Sequence, residues 1–464
     1  MRYISTRGEA PALGFEDVLL TGLAPDGGLY VPQTWPTIDA DTIRSMASQP
    51  YTSVAKTVLA PFVGGEIDDA SFSTMIDEAY GEFGHPAVAP LVQLGSNEYV
   101  LELFHGPTMA FKDVAMQLLS RVVDHILEAR GERITIVGAT SGDTGGAAIE
   151  AFRGRDNSDI FILFPDGKVS DVQRWQMTGV TDANVHALAV EGNFDDCQAL
   201  VKAMFNHHAF RDRLHLSGVN SINWGRIMGQ IVYYFTAAVA LGAPDRKVSF
   251  TVPTGNFGDI FAGYVAKKMG LPIDQLIIAT NSNDILARTM ETGRYETKGV
   301  SATTSPSMDI QVSSNFERTL FDASGCDADY INRSMSSLGQ SGSFTLGDDV
   351  MDELRKHFSA GRASESDVAE TIKSAQDDAS YLMDTHTAVG VHVARQFRSD
   401  TPMAVLATAH PAKFPDAVEA ASGTRPALPP RCKHLMDGQE RFTVVGNTLD
   451  AVEDYISSHA RAAS

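Results

Sequence analysis

Apolar stretches rich in β-branched residues recur along the chain, and three of them run into loops of small and polar residues. The stretches cover residues 133–137, 160–164, 185–190, 248–252, 276–279 and 403–409. Helical patterns, such as those at residues 195–205 and 225–241, alternate with them. This alternation predicts mostly parallel sheets covered by helices on both faces. Sheets of this kind bind ligands at the carboxyl ends of their strands, so we expect the site to lie in the three loops.

Composition limits the classes of protein that the chain can belong to. Its 464 residues, 43% of them hydrophobic, suffice for two or three domains. The net charge of -21 disfavours binding to nucleic acid or to an anionic membrane. The three cysteines are scattered without metal or disulfide spacing, and neither a signal peptide nor a membrane-spanning stretch is visible. We expect a cytoplasmic protein, monomer or homodimer, with no nucleic-acid or membrane partner.

One lysine, Lys112, lies on the inward side of a helix predicted over residues 111–128. The neighbours that share its side of the helix are apolar: Met116, Leu119, Val123 and Leu127. A lysine there is costly unless it is paired, deprotonated or used covalently. Two interpretations are open: an ammonium that reaches back to water, or an amine that forms a Schiff base with a carbonyl cofactor. The polar residues predicted to face water are Asp113, Gln117, Ser120, Arg121, Asp124 and Glu128.

Two of the loops have the composition of anion sites. Residues 255–259 (Gly-Asn-Phe-Gly-Asp) join a strand to a helix, so backbone N–H groups and the helix dipole can surround an anion. The alternative is a tight turn that needs glycine for steric reasons. Residues 140–145 (Thr-Ser-Gly-Asp-Thr-Gly) add hydroxyls that suit a carboxylate or phosphate, with helix capping as the alternative. Neither loop is a P-loop or a dinucleotide fingerprint.

Two further positions carry polar groups at the ends of predicted elements. Residues 220–226 (Asn-Ser-Ile-Asn-Trp-Gly-Arg) precede a helix, where Arg226 can clamp a phosphate or carboxylate, or lie on the surface. Thr408 ends an apolar strand, and a hydroxyl buried there needs a partner, either a ligand or local backbone.

Taken together, several segments resemble the threonine synthases, a family of the tryptophan synthase β-like (fold type II) enzymes that use pyridoxal phosphate. Residues 104–113 (Phe-His-Gly-Pro-Thr-x-Ala-Phe-Lys-Asp) are similar to the cofactor-lysine segment of that family. The other similar segments are residues 3–8, 26–32, 140–145, 255–259 and 408–414. The first two resemble the N-terminal domain of the family, which cysteine synthases and dehydratases of this fold lack.

The resemblance implies an α/β fold with two doubly wound, mostly parallel sheet domains and an added N-terminal subdomain. The implied parts are an N-terminal subdomain (residues 1–85), a catalytic region (86–420) and a C-terminal extension packed on the larger lobe (421–464). Within the catalytic region, the implied lobes are a smaller mobile one (about 115–228) and a larger one (86–114 with 229–420).

The resemblance also implies a reaction, the conversion of O-phospho-L-homoserine and water to L-threonine and phosphate, which is the last step of threonine biosynthesis. It implies pyridoxal 5'-phosphate as cofactor, no metal, and Lys112 as the catalytic residue that holds the cofactor. The other implied cofactor-binding residues are Asp143, Gly255, Asn256, Phe257, Gly258, Asp259 and Thr408. The implied substrate-binding residues are Ser141, Gly142, Thr144, Asn220, Ser221 and Arg226.

Two alternatives of different kinds stay open. A threonine or serine dehydratase of the same fold would release a 2-oxo acid, and the N-terminal subdomain argues against it. A non-catalytic relative that binds a metabolite would not need Lys112, both anion loops and Thr408. A kinase or NTPase is disfavoured further, since the chain lacks the P-loop lysine.

Overall fold

The computed structural model describes residues 1–463, which form an α/β structure with one mostly parallel and one fully parallel sheet. The strands are β1 (Tyr3–Ser5), β2 (Tyr30–Pro32), β3 (Leu91–Gln93), β4 (Glu98–Glu102), β5 (Ile134–Ala139), β6 (Ser158–Pro165), β7 (Val185–Val190), β8 (Leu216–Ser217), β9 (Val248–Pro253), β10 (Ile273–Thr280), β11 (Arg294–Glu296), β12 (Ser343–Thr345), β13 (Phe358–Arg362), β14 (Met403–Ala407) and β15 (Thr443–Val445). The helices are α1 (Phe15–Thr21), α2 (Ala40–Ser45), α3 (Tyr51–Val63), α4 (Asp69–Gly81), α5 (Lys112–Arg130), α6 (Asp143–Phe152), α7 (Asp171–Thr178), α8 (Phe194–Asn206), α9 (His208–Arg213), α10 (Trp224–Ala240), α11 (Gly258–Lys268), α12 (Ile285–Thr292), α13 (Phe316–Ala323), α14 (Ala328–Ser341), α15 (Asp348–Arg355), α16 (Glu365–Ala379), α17 (Thr385–Ala394), α18 (Pro415–Ser422) and α19 (Leu449–His459).

The larger sheet has the strand order β13-β10-β9-β14-β4-β3, and only β3 runs antiparallel to its neighbour. Its central strands β9 and β14 are buried along their whole length because both faces of the sheet are covered. In β14, Ala404 and Leu406 join a core that includes α10 and α11, whereas Val405 and Ala407 join a second core with α16 and α17. The alternation predicted from the sequence therefore produces the expected doubly covered sheet.

The smaller sheet is fully parallel, with the order β15-β7-β6-β5-β8. Its edge strand β15 comes from the C-terminal segment, so the expectation that residues 421–464 pack on the larger lobe is wrong for the part after residue 440. The free edge of β7 offers unpaired backbone groups that β15 satisfies. Val452 and Ile456 of α19 cover apolar residues on the outer face of the sheet. Earlier in the segment, Arg431 does contact the larger lobe, donating to the carbonyls of Phe104 and Gly106.

Helix α5 is more deeply enclosed than its sequence pattern indicates. Of the residues predicted to face water, Asp113, Gln117, Ser120 and Arg121 are buried, because α4, α6 and α10 all pack against α5. Helices α6 and α11 also begin earlier than the apolar pattern suggests. They start at Asp143 and Gly258, inside the two glycine loops. The loops are thus short, and their last residues form the first helical turns.

The N-terminal residues 1–85 form α1–α4 and the antiparallel pair β1 and β2. They pack on α10 and α5 through one continuous apolar core, in which Trp224 contacts the rings of Tyr3 and Phe62. Within residues 1–463, none of the helices combines the length and the apolar composition that crossing a membrane requires.

Candidate active site

Lys112 is the first residue of α5, and its side chain points into the protein. Only 8% of the residue is exposed, and its Nζ lies 3.3 Å from Oδ2 of Asp143. The lysine therefore faces a buried carboxylate, which excludes the interpretation that its ammonium reaches back to water. Burial lowers the pKa of Lys112; Asp143 opposes this shift, and Lys413 and Arg226 add to it.

Asp143, the first residue of α6, is the centre of a buried polar cluster. Its Oδ1 lies 2.9 Å from Nζ of Lys413 and accepts from Nε2 of Gln173 at 3.0 Å. Its Oδ2 accepts from the hydroxyl of Ser307 at 3.3 Å. Burial alone would raise the pKa of this carboxyl, but Lys413 and Lys112 hold it well below its usual value. Asp143 is therefore an ionised carboxylate shared by two lysines.

The loop from Gly255 to Gly258 turns the chain from β9 into α11. Phe257 adopts a left-handed conformation with φ of 63°. The amides at the start of a helix have no partners within it, so this turn offers N–H groups to an anion. Two side chains outside the loop donate hydrogen bonds to its carbonyls. The Ser313 hydroxyl donates to Gly255 at 2.6 Å, and the Asn315 side-chain amide donates to Asn256 at 2.9 Å.

Asp259 follows this loop and is buried against two tyrosines. Tyr233 and Tyr234 donate to its Oδ1 at 2.5 and 2.9 Å, while its Oδ2 has no hydrogen-bond partner among residues 1–463. Burial raises the pKa of Asp259 to about 6, against the effect of the two tyrosine hydroxyls and of Lys112. The first turn of α11 thus carries a carboxyl that titrates near neutrality.

The loop at residues 140–144 is closed by its own threonine. Oγ1 of Thr140 accepts from the N–H groups of Gly142 and Gly145, both at 2.9 Å. Gly142 has φ of 144°, and a Cβ at this position would lie 2.3 Å from the Gln173 side chain, so only glycine fits. The amide of Gly142 is therefore engaged within the loop, next to Asp143.

Arg226, in the first turn of α10, is buried rather than on the surface. Its Nη1 donates to the carbonyl of Val219 at 3.3 Å, and its Nε has no partner in the described part of the chain. Burial lowers its pKa to about 10. Of the other residues predicted in this segment, Ser221 accepts through its carbonyl from Asn315 at 3.2 Å, whereas Asn220 is exposed.

Thr408 directly follows β14 and is buried. Its carbonyl accepts from the N–H of Phe111 at 2.8 Å, which fixes the strand end beside the residue that precedes Lys112. The carboxyl ends of three strands from two sheets therefore converge: β5 leads to Asp143, β9 to the Gly255 loop and β14 to Thr408.

Several residues of this arrangement were not predicted from the sequence. The hydroxyl of Ser307 donates to Asp143. Its carbonyl oxygen lies close to Gly255, 2.9 Å from where a Cβ on that glycine would stand. Asn315 joins Asn256 to Ser221. The further members are Gln173, Arg318, His386 and Lys413. Most lie outside any motif, and Lys413 alone had a signal, its place in the segment at residues 408–414.

The site and fold define a class of protein. The family model described as "Pyridoxal-phosphate dependent enzyme" matches residues 85–409. Two narrower models, "Threonine synthase N terminus" and "Threonine synthase, C-terminal", match residues 2–80 and 387–456. The chain belongs to the pyridoxal-phosphate-dependent enzymes of fold type II and, within them, to the threonine synthases.

Full-length relatives support this assignment. Threonine synthase of Pseudomonas aeruginosa is 54% identical over 462 residues, with 99% of this chain and 98% of that protein covered. The crystal structure of pyridoxal-phosphate-bound threonine synthase from Brucella melitensis is 64% identical and superposes with a TM-score of 0.98, covering 99% of this chain and 100% of that one. Yeast threonine synthase follows at 39% identity and a TM-score of 0.94, covering 99% and 98%.

Proposed function

We propose that this threonine synthase acts on O-phospho-L-homoserine, which it converts with water to L-threonine and phosphate. In that reaction the bond from Cγ to the phosphate oxygen breaks, Cγ gains one proton and Cβ loses one. The hydroxyl of water bonds to Cβ, and the remaining proton of water leaves with the phosphate. The observation that carries the proposal is the buried amine of Lys112, which lies 3.3 Å from Asp143 at the start of α6. The N-termini of two helices, α6 and α11, face this region. Helix N-termini bind anions, so this arrangement suits reactants that carry a phosphate and a carboxylate.

When bound, pyridoxal phosphate supplies a carbonyl that binds amines reversibly and a ring that withdraws electrons from the substrate carbons. We propose Lys112 as the amine that holds it and as the group that moves protons at Cα and Cβ of the substrate. Burial supports both roles, because the lowered pKa of Lys112 makes its unprotonated form easier to reach.

The remaining donors fit the other parts of the cofactor. We assign its phosphate to the amides of Gly255, Asn256, Phe257 and Gly258, and the ordering of that loop to Asp259. Asp143 would contact the phenolic oxygen, and the Thr408 hydroxyl the ring nitrogen. A hydroxyl, unlike a carboxylate, does not hold a proton on that nitrogen, so the ring withdraws electrons less strongly and carbanion side reactions are limited.

For the substrate, the loop residues Ser141, Gly142 and Thr144 would bind the carboxylate, and Asn220, Ser221 and Arg226 the phosphate. Arg226 has a donor to spare, because its Nε has no partner among residues 1–463. The Gly142 amide now donates to Thr140. Binding through this amide therefore requires the loop to rearrange, which is consistent with a smaller lobe that moves.

We propose a division of the chain that differs from the one expected from the sequence only in its last part. We propose residues 1–85 as the N-terminal subdomain and residues 86–420 as the catalytic region, whose smaller lobe, about 115–228, is mobile. The last part, from residue 440, would move with the smaller lobe, since β15 extends the sheet of β5, β6 and β7. Proton transfer at Lys112 would then occur in a cleft that closes and excludes water.

The proposed chemistry is tested by trapping and by product analysis. Borohydride reduction of the protein loaded with pyridoxal phosphate should label Lys112, and Lys112→Ala should abolish the label and lower turnover by many orders of magnitude. Incubation with O-phospho-L-homoserine should release threonine and phosphate in equal amounts. A label on another lysine would refute the assignment of Lys112, and 2-oxobutyrate as the main product would indicate the dehydratase alternative.

The setting of the enzyme is also a proposal. We place it in the cytoplasm as a monomer or homodimer. Cys197, Cys326 and Cys432 form no disulfide, which supports the cytoplasmic placement because disulfides are rare in that compartment. Fractionation of the source cells and sedimentation of the purified protein test these two points.

A further inference from the structure

A second lysine, Lys413, is buried beside Lys112, and nothing in the proposed chemistry uses it. It is completely inaccessible to water. Its Nζ lies 2.9 Å from Oδ1 of Asp143, and it donates to the Thr108 carbonyl at 2.8 Å and to Oε1 of Gln176 at 3.0 Å. An ammonium so deeply buried is stable only because its donors all have partners.

The two lysines share one carboxylate through its two oxygens. Lys112 contacts Oδ2 of Asp143, and Lys413 contacts Oδ1. Lys112 can attack a carbonyl only after losing its proton, and the ion pair with Asp143 opposes that loss. If Lys112 were the only cation near Asp143, its deprotonation would leave a buried carboxylate unpaired, which is strongly unfavourable.

We propose that Lys413 is a positioning residue that keeps Asp143 paired and ionised, so that Lys112 can give up its proton to hold the cofactor. The proposal rests on the proposed role of Lys112. Lys413 does not touch the reacting atoms and acts through Asp143. The ion pair between Lys413 and Asp143 persists whether Lys112 is protonated or not.

The surrounding charges agree with this assignment. Lys112 faces Asp143 from α6, Arg226 from α10, Asp259 from α11 and Lys413 from the turn after β14. Near the shared carboxylate stand His386 of α17 and, beside Lys413, Asp113 of α5. Lys413 lowers the pKa of Lys112, after burial and against the effect of Asp143. Removing Lys413 should therefore make Lys112 harder to deprotonate.

The test is the pH profile of cofactor uptake by cofactor-free protein, measured as the rate at which the visible band of bound pyridoxal phosphate appears. In Lys413→Met the midpoint should move upward by at least one pH unit, so that uptake below the midpoint slows about tenfold. In Asp143→Asn it should move downward, and in the double variant it should return toward the wild-type value. Borohydride trapping must give the label on Lys112 in each variant that retains this residue.

A matched control separates charge from structure. Gln176→Leu removes a buried partner of Lys413 and a hydrogen bond to the Thr108 carbonyl, but leaves both charges of the ion pair. This variant should take up the cofactor more slowly or bind it less tightly, but the midpoint of its pH profile should stay at the wild-type value. A Lys413→Met midpoint that stays at the wild-type value, or that matches Gln176→Leu, would overturn the proposal.

Two other outcomes also bear on the role of Lys413. If Lys413→Met does not fold, recovery of folded protein in Asp143→Asn/Lys413→Met supports the pairing, and an equally unfolded double variant refutes it. If the label falls on a lysine other than Lys112, the proposed function fails; if the label is on Lys112 but the midpoints do not move, only the role of Lys413 fails.

Discussion

Arg226 is a buried guanidinium whose Nε has no partner among residues 1–463, and its charge matters in a chain whose net charge of -21 repels phosphate esters. We expect Arg226→Ala to weaken binding of O-phospho-L-homoserine by about 1.5–3 kcal/mol, the value of a hydrogen bond to a charged group. Arg226→Lys should recover part of this, because one ammonium cannot replace the planar fork.

The control for Arg226 is an amino acid without phosphate, because the loop at residues 140–144, which we propose binds the carboxylate, is unchanged in both variants. Spectral titration of the loaded enzyme with both ligands measures the two affinities. Equal weakening of both would place Arg226 at the carboxylate or give it a purely structural role.

Asp259 makes stability depend on pH in a predictable direction. Its carboxyl keeps its proton up to a pKa of about 6, whereas an unfolded aspartate, at 3.8, has lost it. Between these values the folded state binds more protons, so this group's contribution to stability falls as pH rises from about 4 to 6. The loss is at most about 3 kcal/mol, two units at 1.36 kcal/mol each.

Replacing Asp259 tests that direction. In cofactor-free protein, Asp259→Asn should gain stability relative to wild type as pH rises from 4 to 6.5, when both are unfolded with urea at several pH values. The comparison with wild type cancels the opposite slope that Asp143 contributes. Parallel profiles for the two proteins would contradict a raised pKa at Asp259.

At the scale of elements, helix α13 connects the N-terminal subdomain to the proposed phosphate segment. Its Arg318 is completely buried and donates to the carbonyls of Tyr30, at 3.0 Å, and Ile222, at 2.7 Å, and to Asn315. Burial lowers its pKa to about 9. One side chain thereby holds the segment at residues 220–226 against β2.

We expect Arg318→Met to destabilise the protein by on the order of 3 kcal/mol, since two buried carbonyls lose a charged donor. It should also weaken binding of O-phospho-L-homoserine, because the segment that carries Arg226 loses its anchor. Arg7→Met is the matched control: Arg7 also joins the N-terminal subdomain to α13, through Glu317 at 3.1 Å, but makes no hydrogen bond to Ile222 among the described residues. If both variants bind the substrate equally well, the anchoring role of Arg318 is wrong.

At the scale of the whole molecule, the chain returns after the six-stranded sheet to complete the five-stranded one. Strand β15 pairs with β7, Glu440 binds Arg174 of α7 at 2.7 Å, and α19 packs on α8. The stability of the smaller lobe should therefore depend on residues more than 200 positions away from most of its strands.

Ile456→Ala should cost about 2–5 kcal/mol, as is usual for a fully buried isoleucine. Hydrogen exchange should show the loss mainly in β7 and α8, with β9 and β10 still protected. Val444→Ala, at a position that is 51% exposed, should change stability by no more than about 0.5 kcal/mol. Equal loss of protection in both sheets would show that the two lobes unfold as one unit.

The sequence predicts those parts of the fold and site that local periodicity and motifs encode. The apolar stretches at residues 185–190 and 248–252 correspond to β7 and β9, and the inward position of Lys112 predicts its burial. The same reasoning misjudged Asp113 and Gln117, which a pattern of polar residues marks as exposed. Periodicity reports which face of a helix is apolar, but not how many neighbours enclose it.

The sequence alone therefore determined the α/β class, the inward lysine and the candidate anion loops, because these depend on residues close together along the chain. Only the tertiary structure decided that Lys413 meets Asp143, that Asn315 joins two loops, and that β15 belongs to the smaller sheet. Those contacts join residues about 60 to 270 positions apart. No local pattern encodes such pairs, since their energy comes from satisfying buried charges, carbonyls and strand edges that exist only once the chain has folded.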